Sequence, residues 1–131
     1  MEDGGEVYDE LAGVEVSEIQ LIGLVRIRFG EGRTRELSIE RDFTIRTGDN
    51  LERGVVEFRP YQTDWKPTGM DDLASIFGSV VDQASAQPDA TLLITFTDGK
   101  SLEVQPDPHY EGWHFWLDGV LHGQMAGGNL M

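Results

Sequence analysis

The three histidines and the acids beside them are the side chains of this sequence that could bind a metal ion. His109 and His114 flank Glu111, Asp107 precedes them, and His122 follows. A metal site needs three or four ligands that converge at about 2 Å. Because the spacing of His109 and His114 matches neither the helix period nor the strand period, only a turn could bring them together. We therefore expect no metal ion and no other cofactor, with a site at His109 and His114 as the alternative.

Catalytic groups are hard to assemble from the other residues. Asp107 and Glu111 are closely spaced carboxylates, but acid–base catalysis also needs a pocket that both groups share. We interpret Glu111 as a structural acceptor for backbone N–H groups, paired with Arg26 or Arg28. Gly78-Ser79 lacks the glycine that follows in a nucleophile elbow, and the chain has no phosphate-binding glycine loop and no cysteine. The sequence therefore predicts a protein that is not an enzyme.

The densest aromatic segment is a candidate contact surface for a partner. Tyr110 is followed by Trp113, Phe115 and Trp116. In a strand, Trp113 and Phe115 would share one face, and His114 and Trp116 would share the other. One face must form the core. The other face then either presents Trp116 to a partner, as tryptophans at binding hot spots do, or is covered by the rest of the fold.

The formal charge of −14 is unevenly distributed along the chain. Residues 1–18 contribute −7, residues 19–69 contribute +1 and residues 70–131 contribute −8. Nucleic acids and anionic membranes are disfavoured as direct partners, because phosphate contacts need clustered Lys and Arg. An acidic field favours a basic protein partner. The same charge could also serve solubility alone.

Acids of the second half and one aromatic residue are the predicted partner contacts. They are Asp71, Asp72, Asp82, Asp89, Asp107, Glu111, Asp118 and Trp116. A homodimer formed through an open sheet edge is the alternative, since an edge strand offers unpaired backbone groups.

Alternating apolar residues indicate that strands position these side chains. Residues 19–29 and 35–46 each favour one strand, the second long and bent, and shorter strands are predicted at 55–58 and 80–84. Asp98-Gly99 and Asp118-Gly119 each separate two alternating runs, which predicts two hairpins with type I′ turns. An acidic cap favours a short helix near residues 71–77. The predicted fold is mainly β (α+β), with antiparallel hairpins that form a curled sheet or a small open barrel.

The domain organisation follows from composition and from a weak internal repeat. Residues 1–18 are predicted to form an acidic, flexible arm, and residues 19–131 a single β-rich domain. Leu21-Ile22-Gly23 and the hairpin after it echo Ile76-Phe77-Gly78 and its hairpin. We therefore hypothesise a pseudo-repeat of residues 19–59 and 75–122. With no secretory signal and no apolar run of about 20 residues, a cytoplasmic location is expected.

Two segments of the second half resemble an uncharacterised bacterial family of small acidic proteins. One is the hairpin that contains Phe96-Thr97-Asp98-Gly99. The other is Pro106-Asp107-Pro108-His109-Tyr110-Glu111-Gly112-Trp113. A Gly-Gly pair near the end of family members corresponds to Gly127-Gly128 here. The last three residues, 129–131, differ from the acidic and aromatic pair that family members carry after the glycines.

This resemblance carries no established activity that could be transferred to the chain. Proteins of this size and charge are similar to the immunity proteins of bacterial toxin systems, which bind and block a co-encoded toxin. The resemblance therefore favours an immunity-type inhibitor of a basic toxin. A self-associating interaction module is the main alternative, and a small-ligand or metal-binding protein is a further one.

Overall fold

The computed structural model describes residues 5–21, 24–32, 34–41, 43–46, 52–56, 70–106, 112–125 and 129–130. In these ranges the chain forms twelve strands, one short α-helix and one 3-10 turn at Asp9–Leu11. The helix α1 spans Met70–Ala74. The strands are β1 (Glu6–Val7), β2 (Val16–Leu21), β3 (Val25–Phe29), β4 (Arg35–Ile39), β5 (Phe43–Arg46), β6 (Glu52–Val56), β7 (Val81–Ala86), β8 (Leu92–Phe96), β9 (Ser101–Val104), β10 (Trp113–Leu117), β11 (Val120–Met125) and β12 (Asn129–Leu130).

The strands form two antiparallel sheets. The first sheet has the order β1-β7-β8-β9-β5-β6, and the second has the order β12-β11-β10-β4-β3-β2. The pairings among the described strands do not close either sheet into a barrel. The prediction of a mainly β (α+β) fold with antiparallel hairpins and one short helix is therefore confirmed.

One hydrophobic core is shared by the two sheets. Alternate residues of the central strands are buried, as in the pattern of Val25, Ile27 and Phe29 on β3. Phe115 of the second sheet contacts Tyr8 and Phe29, with ring centroids 5.6 and 5.7 Å apart. Apolar residues alternate with polar ones along these strands because each sheet buries one face and exposes the other.

The two halves of the chain exchange strands. β2, β3 and β4 form a meander in the second sheet, and β7, β8 and β9 form the equivalent meander in the first sheet. The next strand of each half leaves its own meander. β5 pairs with β9, and β10 pairs with β4. Each sheet therefore contains strands from both halves.

A fixed offset of 65 residues relates the hydrogen bonds where the halves meet. Glu15 pairs with Val80, 65 positions later, in an antiparallel bridge, as a twofold axis between the halves would require. The flanking bonds come in equivalent pairs. The amides of Val16 and Val81 donate to the carbonyls of Ser79 and Val14 at 2.9 and 2.8 Å, and those of Gly13 and Gly78 donate to the carbonyls of Val81 and Val16 at 2.8 and 2.9 Å.

This correspondence begins earlier in the chain than the repeat expected from the sequence. The counterpart of Gly78 (φ +82°) is Gly13 (φ +83°), and not Gly23. The apolar entry of the first half is therefore Leu11-Ala12-Gly13.

The structure also differs from the flexible arm expected at residues 1–18. In the described part of that range, β1 pairs with β7, and Tyr8, Leu11 and Val16 are buried. These apolar residues are few, but each enters the shared core, and that burial offsets the entropy lost on ordering the chain.

Two predicted long strands are divided in the structure. Residues 19–29 form parts of β2 and β3, which pair with each other. Residues 35–46 form β4 and β5, which belong to different sheets. The alternation continues across both breaks, because the strands on each side bury residues in the same core. The strands predicted at 55–58 and 80–84 are observed at Glu52–Val56 and Val81–Ala86.

Both predicted hairpins are present, but only one has the predicted turn. Asp118 and Gly119 have φ values of +52° and +89°, as a type I′ turn requires. In the other hairpin only Gly99 has a positive φ, +91°, and the amide of Phe96 donates to the carbonyl of Lys100. That connection is a three-residue loop with a left-handed glycine at its end.

A search of the described helices for a membrane-spanning segment, judged by length and hydropathy, found none.

Candidate functional site

Trp116 lies on the outer face of the second sheet and is 45% exposed. Its neighbours on β10, Phe115 and Leu117, point into the core. Leu121 stands directly opposite Trp116 on β11, on the same face of the sheet, and is 38% exposed. We call Trp116 and Leu121 the apolar patch. The sequence left open whether the second face of β10 is covered, and in the structure Trp113 and Phe115 are buried whereas Trp116 is exposed.

A charge-balanced ladder continues from the apolar patch across the same face. Glu36 on β4 stands opposite Trp116. Arg28 on β3 forms ion pairs with Glu36 at 3.0 Å and with Glu18 on β2 at 2.7 Å. Arg26 approaches the second oxygen of Glu36 at 3.2 Å. The hydrogen bonds of Arg28 to Glu36 and Glu18 raise the pKa of this guanidinium above its ordinary value.

These ion pairs bear on one sequence interpretation. Glu111 was expected to pair with Arg26 or Arg28, and in the structure both arginines contact Glu36. Strand register decides this, because Arg28 and Glu36 are directly opposite each other on adjacent strands. Glu111 itself lies outside the described residues.

One end of the molecule gathers several exposed acids next to the apolar patch. Asp118 follows β10, and its amide donates to the carbonyl of Thr34 in the β3–β4 turn. The carbonyl of Glu15 accepts from Gly30 in that same turn, and Glu15 pairs with Val80, which precedes Asp82. These contacts place the exposed acids Glu15, Glu31, Asp82, Asp98 and Asp118 around the turns of one end, which we call the acidic end.

The predicted contact acids divide between different regions of the molecule. Asp82 and Asp118 lie at the acidic end, where Asp118 is 3.8 Å from Arg35. Asp89 lies at the other end of β7, and its carboxylate accepts a hydrogen bond from the amide of Thr91 at 2.9 Å. Asp71 and Asp72 lie in the first turn of α1. Asp107, like Glu111, falls outside the described residues.

Sequence reasoning missed the acids of the first half and Asp98. Glu15 and Glu31 were overlooked because residues 1–18 were expected to be flexible and residues 19–69 carry a small net charge. The 65-residue correspondence between the halves was the signal that could have identified Glu15. It pairs Glu15 with Val80, and Val80 lies two positions before the predicted contact residue Asp82.

The histidines do not form a metal site in the described residues. His114 stands opposite Gly123, and His122 stands opposite Phe115, so the two rings lie on opposite faces of the second sheet. His122 Nδ1 is 3.2 Å from a carboxylate oxygen of Glu6, and its ring contacts Tyr8 edge-on at 5.1 Å. No group of three metal ligands occurs in the described ranges, and His109 lies outside them.

A second polar cluster holds the β8–β9 loop against the turn after α1. Ser79 Oγ donates to Asp98 at 2.8 Å, and the Lys100 amide donates to the other Asp98 oxygen at 3.0 Å. Lys100 Nζ donates to the carbonyl of Ser75 at 3.0 Å. Partial burial acts to raise the pKa of Asp98, but these hydrogen bonds and the charge of Lys100 outweigh it and lower the pKa.

The Asp98 carboxylate accepts a hydrogen bond from the Ser79 hydroxyl, and its hydrogen bonds lower its pKa. We interpret the cluster as structural support for the hairpin. It also fixes the acidic end to the core through the buried Ser79.

The twofold relation between the halves shows that the apolar patch is specific to one half. Ile45 pairs with Leu102 as Phe115 pairs with Leu37, so Arg46 occupies the position equivalent to Trp116. Arg46 forms an ion pair with Glu103 at 2.6 Å. The same strand position therefore carries a neutralised charge in the first sheet and an exposed indole in the second.

Comparisons with known proteins identify a family and no closer relative. A search of curated proteins found no match, and a search of solved structures found none either. The model of one protein family, described as a family of unknown function (DUF6188), matches residues 7–130. This range includes β2 to β11 and the whole apolar patch. The chain therefore belongs to the family of unknown function DUF6188.

Proposed function

We propose that the protein is a non-catalytic binding module, and specifically an immunity-type inhibitor that neutralises a basic bacterial toxin in the cytoplasm. The exposure of Trp116, with Leu121 opposite it on the same face, is the observation that carries the proposal. An indole that is nearly half exposed, on a sheet face whose other charges are paired, resembles the anchor residues of protein interfaces. The acids at the adjoining end would attract a basic partner and orient it on this face.

The charge distribution supports a polar rim around an apolar centre. Arg28 and Arg26 are paired with carboxylates beside the patch, so a partner that covers them need not compensate free positive charge. Glu15, Glu31, Asp82, Asp98 and Asp118 lie at one border. Interfaces of this composition gain affinity from the apolar centre and association rate from the charged rim.

The first experiment identifies and then reconstitutes the complex. The tagged protein is incubated with host lysate at low and at high salt, and each bound protein is then purified and titrated against this chain. We expect a basic protein, encoded beside this one, whose toxicity is blocked at a 1:1 ratio. Trp116→Ala should weaken the purified complex about thirtyfold, as removal of an anchor costs about 2 kcal/mol or more.

Matched variants distinguish loss of the apolar patch from the general effect of removing an exposed apolar or acidic side chain. Val7 is also exposed but lies on β1 at the edge of the first sheet, so Val7→Ala should leave the affinity unchanged. Asp82→Asn with Asp118→Asn should slow association, whereas Asp89→Asn, the same change at the opposite end, should not. If Trp116→Ala and Val7→Ala behave alike, the apolar patch is not the interface. If the protein captures only itself, the self-associating module is the better function.

A further inference from the structure

The edge of the first sheet shows how this fold accepts an added strand. β1 lies along β7, with Glu6 opposite Ala86 and Val7 opposite Ser85. The amide of Tyr8 donates to the carbonyl of Ala84 at 2.8 Å. Because hydrogen-bonded pairs alternate along an antiparallel ladder, Ala84 and Ala86 direct their backbone groups toward β1.

The equivalent edge in the second sheet is β2. The offset of 65 residues relates Ala84 and Ala86 to Ile19 and Leu21, which therefore direct their N–H and C=O groups away from β3. β2 is the last strand of its sheet. The residues equivalent to Glu6 and Val7 are Asp71 and Asp72, which form part of α1 instead of a strand. Among the described residues, no strand pairs with this edge of β2.

An apolar groove of about 530 Å³ lies between this edge and α1. Ile19 and Leu21 form one wall, Leu73 and Ala74 form the other, and Phe77 lies at the border with 62% of its surface exposed. An extended segment that paired with β2 would direct alternate side chains into this groove, and those side chains would need to be apolar.

The charges beside the groove define the rest of the segment. Glu18, which also pairs with Arg28 at 2.7 Å, lines it on the β2 side, and the exposed Asp71 lies in the first turn of α1, next to Asp72. Among the described residues that line the groove, none is Lys or Arg. A second copy of this chain, with a charge of −14, is therefore a poor occupant, whereas a segment with basic residues between its apolar ones fits.

We propose that the β2 edge is a strand-addition site for an extended segment of a partner protein that alternates apolar and basic residues. The segment pairs antiparallel with Ile19–Leu21, as β1 pairs with β7. Its apolar side chains enter the groove beside Phe77, and its basic side chains approach Glu18 and Asp71. This surface is separate from the apolar patch around Trp116, so the two can be tested independently.

The test combines amide hydrogen exchange with a defined peptide. The probe is an acetylated, amidated octapeptide of alternating valine and lysine. In the free protein the Leu21 amide should exchange much faster than the equivalent Ala86 amide, which β1 covers. The peptide should slow exchange at Leu21 about tenfold or more at saturation. The same peptide with alternate backbone nitrogens methylated should bind about tenfold more weakly, because it cannot donate the ladder bonds.

Variants on α1 and β7 complete the test. Ala74→Arg adds a positive charge to an exposed helix residue of the groove and should weaken peptide binding about tenfold, without altering the strand. Gln83→Arg adds the same charge at an exposed position of β7 and should have no effect. Leu21→Pro removes one outward N–H group and should weaken peptide binding about tenfold, with protection then read at the Ile19 amide.

Four results would overturn the proposal. If Leu21 is as protected as Ala86 in the free protein at every concentration, the chain itself covers the edge. If that protection rises with protein concentration, a second copy is the occupant. Equal binding of the methylated peptide would exclude backbone pairing, and equal binding of a valine–glutamate peptide would exclude a basic segment. Loss of the Trp116 interface would change none of these measurements.

Discussion

Trp113 and Trp116 lie on the same strand in opposite environments. Trp113 is fully buried, and its indole N–H donates to the carbonyl of Ala90 at 2.8 Å, joining β10 to the β7–β8 turn. Trp113→Phe leaves that carbonyl unpaired and opens a cavity, so we expect a loss of about 2–4 kcal/mol in the free energy of unfolding. Urea denaturation measures it. Trp116→Phe is the control and should change stability by less than about 0.5 kcal/mol.

Asp98 makes stability depend on pH. Its pKa is lowered in the folded protein, so its contribution is complete above the ordinary value of 3.8 and is lost as the pH falls through the lowered value. Asp98→Asn should therefore destabilise the protein at pH 7 and progressively less below pH 3.8. The effect should stay below about 1 kcal/mol, since water screens this mostly exposed group. Unfolding at several pH values measures it, and a loss that is the same at every pH would contradict the assignment. Asp82→Asn provides the same change at an exposed strand position.

Individual residues differed in how far the sequence could predict them. Alternation on β10 was enough to separate the buried Trp113 from the exposed Trp116. The partners of Arg28 and Ser79 were not predictable, because both depend on which residues become neighbours across strands. Glu36 faces Arg28 through the β3–β4 register, and Ser79 reaches Asp98 through the packing of the α1 turn on a hairpin.

The β10–β11 hairpin depends on a left-handed glycine. Gly119 has a φ of +89°, and a Cβ added there would meet no atom within 4 Å. The cost of Gly119→Ala therefore comes from the backbone alone, and we expect about 1–2 kcal/mol. Thermal unfolding measures it. Gly119→Asn should recover part of the loss, because asparagine tolerates this conformation; equal losses would show that the turn changes type instead.

The elements show where local patterns stop being informative. Both hairpins were predicted because their strands are adjacent in sequence and their turns carry Asp-Gly. The sequence did not predict that β4 and β5 belong to different sheets. Both strands bury alternate residues in one shared core, so the alternation of apolar residues continues from one strand to the next without marking the change of sheet. Order at residues 5–18 was also missed, because Tyr8, Leu11 and Val16 are too widely spaced to form a recognisable local pattern.

At the scale of the whole molecule, the halves are held together by the exchanged strands. We predict that a chain cut within an engineered protease site between residues 60 and 66 stays associated. The fragments should elute together at a 1:1 ratio, because β5 remains paired with β9 and β10 with β4. Size-exclusion chromatography after cleavage tests this, with 6 M guanidinium as the control that should release both fragments. Separation in buffer would show that the exchanged pairings are too weak to hold the halves.

The strand exchange also constrains how the chain can be made on the ribosome. When the first half has emerged, β4 and β5 both lack a neighbour, since their partners β10 and β9 have not yet been synthesised. A nascent chain at this stage exposes two strand edges that the native fold covers, and these edges can pair either with its own second half or with another nascent chain. The time needed to translate the second half therefore sets how long the β4 and β5 edges can pair with another nascent chain.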